Sequence, residues 1–147
     1  MGLTRNRDLP LLQQVLLVVL MALLSAALWY GWFAWDTEYH YDADAGGTTG
    51  PYQLWQGVGA FFCGLVVLAI AYRTLHFAVA LLVLPASFTL AWISTASAMD
   101  TSGLWAVGAI LVAVGTTLGT AVLLGIAAGI EALGRRRSRA SSGSVRM

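Results

Sequence analysis

Four runs of apolar residues, 11–35, 54–72, 75–95 and 104–133, leave this chain of 147 residues few ways to fold. A helix rising 1.5 Å per residue needs about 20 apolar residues to cross ~30 Å of hydrocarbon, and each run reaches or nearly reaches that length. Hydrophobic residues make up 59% of the chain and charged residues 10%, where soluble domains carry about 25% charged. A water-soluble body of this size has too little polar surface to cover such a core. In lipid every backbone polar group must be satisfied within the protein, which favours helices. The pattern predicts an all-α integral membrane protein, a four-helix transmembrane bundle over residues 1–133. One longer loop, 36–53, joins helices 1 and 2, and a disordered basic tail occupies 134–147. The third run contains Pro85, which should kink the helix and free the carbonyl of Leu81. The fourth is the longest, so it should tilt or project before Gly134 ends it.

Charge sets the expected topology. There are eight arginines and no lysine, a bias that suits a high-GC bacterial genome and hence a bacterial inner membrane. Arg5 and Arg7 precede the first run, Arg73 lies between the second and third, and Arg135, Arg136, Arg137, Arg139 and Arg146 follow the fourth. In a four-span arrangement all of them fall on one side, while Asp36, Glu38, Asp42, Asp44 and Asp100 fall on the other. By the positive-inside rule both termini are expected in the cytoplasm, the 36–53 loop outside, and the protein in the plasma membrane. The six tryptophans, Trp29, Trp32, Trp35, Trp55, Trp92 and Trp105, cluster near the outer ends, where indoles favour the membrane interface. A rival, cleavage of a signal peptide after Ser25-Ala26-Ala27, fits less well, because the apolar run continues into the aromatic belt at spanning length.

Within the spans there is no Asp, Glu, Lys, Arg or His except His76 and Glu131, both at the cytoplasmic ends. Ion and proton pathways are normally marked by such groups, so proton-coupled transport is disfavoured. A pore lined by Ser87, Thr89, Thr116, Thr117 and Thr120 competes with a plainer role, in which these hydroxyls bond backbone carbonyls. His40 and His76 lie at opposite membrane faces and cannot ligate one haem, and the single Cys63 excludes an internal disulfide. No nucleophile at membrane depth has a base beside it, so no enzymatic activity, cofactor or nucleic-acid partner is expected.

The densest polar stretch is DTEYHYDAD, residues 36–44. As an extended strand it would place Asp36, Glu38, His40, Asp42 and Asp44 on one face. Glu38, His40, Asp42 and Asp44 are the only candidate metal ligands. The following DADAGG departs from a calcium loop, with Gly46 and Gln53 standing where ligands belong, so a solvated loop is preferred. Gly46-Gly47-Thr48-Thr49-Gly50-Pro51 reads as a turn. Next comes GPYQLWQ, residues 50–56, which has the look of a signature without carrying any chemistry. The second and fourth helices begin alike, Leu54-Trp55-Gln56-Gly57-Val58-Gly59 against Leu104-Trp105-Ala106-Val107-Gly108, a match too short to imply duplication.

Small residues supply the remaining signal. Gly115 with Gly119 and Gly125 with Gly129 form two G-x-x-x-G motifs, and Ala60 with Gly64 repeats the spacing. Close backbone approach at such residues holds membrane helices together. Packing inside the bundle is the expected use, and a homodimer or a larger membrane-protein partner the competing one. Arg135, Arg136, Arg137 and Arg139 offer a seat for anionic lipid at about 1 kcal/mol each, besides fixing topology. The expected role is structural or accessory within a membrane assembly; the competing class is a transporter or channel for a neutral or weakly polar solute.

Overall fold

The computed structural model describes residues 2–6, 9–36, 40–42, 46–50, 52–100 and 103–144, with 40–42, 48–49 and 137–144 described by their backbone. Four helices follow the four apolar runs: α1 Leu11–Trp32, α2 Leu54–Thr74, α3 Phe77–Met99 and α4 Trp105–Ser144. All four are long and apolar enough to cross a membrane. Between α1 and α2 lies a small antiparallel hairpin, β1 His40–Asp42 with β2 Gly47–Thr49, in the register His40↔Thr49, Tyr41↔Thr48 and Asp42↔Gly47. Gly46 precedes β2 with φ of 64°, a left-handed conformation that glycine adopts without steric cost.

Three expectations change at the boundaries. Among the described residues the extended stretch covers His40–Asp42, and Asp36 belongs instead to the turn after α1, its N–H donating to the Phe33 carbonyl at 3.2 Å. The α3 helix continues past Thr95 to Met99. The α4 helix runs through Gly134 to Ser144, where a disordered tail was expected. One glycine costs a helix only about 1 kcal/mol, and the arginines and alanines after it are good helix formers.

The α3 helix is the most enclosed of the four. It packs on α1 and on α4, α1 also packs on α2, and α2 touches α3 and α4 only lightly. The seam between α2 and α4 is therefore the loosest in the bundle. Met21, Ala71, Leu75, Ala80, Leu84 and Leu124 form the buried cluster, one or more from each helix or its immediate end. Large side chains such as Leu82, Leu111, Leu118 and Ile130 point outward, as they can when lipid is the solvent. α3 passes through Pro85 as one helix, and the adjoining carbonyl of Leu84 accepts a hydrogen bond from the buried Ser25 hydroxyl of α1 at 2.7 Å. That bond ties a buried hydroxyl of α1 to α3.

Candidate functional sites at the two ends of the bundle

The loop end is built from aromatic rings. Trp29 is only 4% exposed. Its indole lies 5.3 Å from Phe33, 5.7 Å from Tyr52, 5.9 Å from Phe88 and 6.4 Å from Trp92, centroid to centroid, and its Nε1–H donates to Thr95 Oγ1 at 2.9 Å. Trp29 is thus a core residue joining α1 to α3, where an interfacial anchor was expected. Its ring is apolar enough to bury, and its one donor is satisfied. Two further indoles fill places that only glycine leaves open. A Cβ on Gly59 would stand 2.2 Å from Trp32, and one on Gly108 would stand 2.6 Å from Trp92. The α1–α2 and α3–α4 pairs therefore use one device, a tryptophan late in the first helix laid on a glycine early in the second.

Two carboxylates at this end have structural work. Asp36 Oδ2 accepts from Gln56 Nε2 at 2.8 Å, and the fully buried Gln56 in turn accepts from the Gln53 N–H at 2.6 Å. Asp100 Oδ2 accepts from the Trp105 N–H at 2.8 Å, closing the first turn of α4. The GPYQLWQ stretch is thereby explained. Gln53 and Gln56 start the helix as a capping pair, Tyr52 packs on Trp29 and Phe33, and Trp55 meets Trp32 and Trp35 at 6.1 and 6.3 Å.

The terminal end is built from main-chain bonds and one charged cluster. The segment before α1 lies against the α2–α3 connection: Arg5 N–H donates to the Thr74 carbonyl at 3.0 Å, His76 N–H to the Leu3 carbonyl at 3.1 Å, and Thr4 bridges to Leu75. Thr4 and Leu75 are fully buried. Gln14 holds the same segment, accepting from the Leu3 N–H and donating to the Leu9 carbonyl, both at 2.9 Å. Outside this strap, the Tyr72 hydroxyl donates to Glu131 Oε2 at 2.5 Å, Arg5 reaches that oxygen at 3.5 Å, and Arg135 pairs with Oε1. The Arg5 guanidinium also sits 5.0 Å above the Tyr72 ring and donates to its backbone carbonyl at 3.1 Å. Glu131 and Arg135 are related by helical spacing, which the sequence displays; Arg5 and Glu131 lie 126 residues apart and no local pattern links them.

The small-residue expectation divides. Gly115, Gly119, Gly125 and Gly129 have nothing within 4 Å of where a Cβ would stand, so their use as packing surfaces inside the bundle is corrected. α4 meets α3 where Trp92 lies on Gly108, and the buried Leu124 joins the core cluster. Gly64 makes an ordinary 3.8 Å contact with Leu28, and with Ala60 it borders a cavity of about 310 Å³. All four helices contribute to that cavity, including Ser25, Pro85, Thr116 and Thr120. Two of the candidate pore hydroxyls are engaged already, Ser87 donating to the Val83 carbonyl at 2.8 Å and Thr116 to Val112 at 2.6 Å, as Ser25 does to Leu84. Thr89 Oγ1 is buried without a hydrogen-bond partner among the described residues.

Of the metal-ligand candidates, Glu38 and Asp44 lie outside the described residues, and His40 and Asp42 are described by their backbone, two apart in β1. Among the described residues no three of His, Cys, Asp and Glu gather. No family model, curated protein or solved structure matches this chain. Four apolar helices give it the build of a small multi-pass membrane protein, and its own geometry is the guide to its role.

Proposed function

We propose that this protein is a non-enzymatic structural or accessory component of a membrane assembly, with the outward face of α4 as its seat for a partner. One observation carries this reading: two G-x-x-x-G pairs on the longest helix have open space around them within the protomer. Glycine lowers helix stability, and in lipid its return is close backbone approach by another helix. The bundle does not take up that return, which leaves a second copy of the chain or a larger membrane protein. Replacing Gly119 by Leu should not lower the melting temperature of the purified protein, while abolishing co-purification or dimerisation in mild detergent. Retained association together with undiminished stability would mean that the stripe faces lipid.

Transport of a neutral or weakly polar solute is the second reading, supported by the cavity of about 310 Å³ that reaches Thr116 and Thr120. It is weakened by the intrahelical or interhelical bonds already made by Ser25 and Thr116. Solute equilibration across liposomes containing the pure protein would favour it. The arginine distribution supports a plasma-membrane orientation with both termini cytoplasmic. In a Cys63→Ala background, Gly50→Cys should react with an impermeant maleimide on intact cells and Ser141→Cys should not. The reverse labelling would invert the protein.

A further inference from the structure

The cavity among the four helices is apolar and holds few polar atoms. At about 310 Å³ it lies at the lower end of the range, about 300–1,000 Å³, usual for small-molecule sites. Among the described residues no charged side chain borders it, and its side-chain polar atoms are the hydroxyls of Ser25, Thr116 and Thr120. Two of these have their protons engaged: Ser25 donates to the Leu84 carbonyl at 2.7 Å and Thr116 to the Val112 carbonyl at 2.6 Å. Thr120, one turn further along the same face of α4, makes no hydrogen bond among the described residues. The space itself comes from α2, whose wall is Gly57, Ala60 and Gly64, one helical face without long side chains. Three phenyl rings, Phe33, Phe61 and Phe88, stand around it. Both α2 and α4 border the cavity, and the seam between them is the loosest in the bundle, so the way in leads from the lipid.

We propose that this cavity is a binding site for a neutral, lipid-soluble ring compound bearing a carbonyl oxygen, with the Thr120 hydroxyl as its hydrogen-bond donor. Water is a poor occupant. The space would take about ten molecules at ~30 Å³ each, and a buried water makes about three bonds, which three hydroxyls cannot supply. An ion would lose its hydration with no counter-charge to meet it. A saturated acyl chain would fill the space but leave Thr120 without an acceptor. A flat ring sets its face or edge against the phenyl groups, and apolar cavities of about 150 Å³ already take up benzene. One carbonyl oxygen then completes Thr120, in surroundings where a hydrogen bond is stronger than in water. Such a site needs neither a partner on the glycine face of α4 nor passage of its guest across the membrane.

The test uses the full chain in lipid nanodiscs, with fluorenone and fluorene as probes, the same flat skeleton with and without a carbonyl. Equilibrium dialysis against empty nanodiscs of the same lipid subtracts what the bilayer dissolves. Fluorenone should bind saturably, one per chain, and about fivefold more tightly than fluorene, the equivalent of one neutral hydrogen bond at about 1 kcal/mol. Thr120→Val keeps the side chain's shape without its hydroxyl, so it should abolish that preference and bind fluorene as before. Ala60→Leu, which fills the cavity from the α2 side, should weaken both probes, and Thr120→Val decides alone should Ala60→Leu fail to fold. Uptake no greater than in empty nanodiscs overturns the proposal, as does uptake that a folded Ala60→Leu variant retains. Equal affinity for the two probes in the wild type overturns it as well, and so does a preference for fluorenone that survives Thr120→Val.

Discussion

The two ends of the bundle are closed by different chemistry. At the loop end, helices are joined side chain to side chain: Trp29 among Phe33, Tyr52, Phe88 and Trp92, Trp32 on Gly59, and Trp92 on Gly108. At the terminal end they are joined mostly through main chain, Leu3 and Arg5 bonding His76 and Thr74, with a half-exposed charged cluster outside. Ring packing depends on shape and is indifferent to salt, whereas the charged cluster lies where water and ions reach it. The difference teaches where stability should reside. The loop end should hold the fold, and the terminal end should locate the first residues of the chain and present arginines. Substitutions ought to rank accordingly.

The largest effect is expected at Trp29. Removing a buried indole typically costs about 3–5 kcal/mol, and Trp29→Ala also loses the bond to the Thr95 hydroxyl, which keeps its own bond to the Trp92 carbonyl. Denaturant titration in micelles should show a loss in that range, with Trp29→Phe recovering most of it because the ring contacts outnumber the single hydrogen bond. A Trp29→Ala variant as stable as wild type would remove the basis for the contrast between the ends.

Next come the glycines, where the comparison can change sign. At Gly108 and Gly59 an added methyl meets an indole inside 3 Å, and overpacking of this kind costs about 1–3 kcal/mol. At Gly125 it meets nothing, and alanine gains up to about 1 kcal/mol of helix propensity. Melting curves of Gly108→Ala and Gly125→Ala should therefore move in opposite directions. If both fall, the α4 glycines pack on something in the isolated protein as well, and the two classes merge.

These glycines also show what could be read from the chain. Spanning helices are legible because a bilayer demands runs of about 20 apolar residues, and all four were found. The G-x-x-x-G spacing was legible too, but spacing says only that a helix has a smooth face, not what lies on it. The resemblance between Leu54-Trp55 through Gly59 and Leu104-Trp105 through Gly108 had a physical counterpart, since each glycine receives an indole from the preceding helix. Seeing this required the partners, Trp32 and Trp92, which lie outside the matched stretches. Gln53 and Gln56 could have been found, because polar residues three apart before an apolar run have the form of a capping pair. The charged cluster at the terminal end could not, because Arg5 meets Glu131 only after the chain has crossed four times.

The smallest effect is expected at Glu131, and its salt dependence is what makes it informative. Glu131→Gln keeps the side chain's length, its carbonyl oxygen can still accept from Tyr72, and the bonds from Leu3 and Arg5 to the α2–α3 connection are untouched. What disappears is attraction to Arg5 and Arg135 at half-exposed positions, where an ion pair contributes little. The melting temperature should fall by less than in Gly108→Ala. The difference from wild type should vanish near 1 M salt, where the screening length is about 3 Å, while the Gly108→Ala deficit persists. A salt-insensitive loss larger than that of Gly108→Ala would show that Glu131 supports the strap by shape or by a bond that glutamine cannot make. Main-chain bonding would then be the consequence of the charged cluster, and the terminal end, like the loop end, would be held by its side chains.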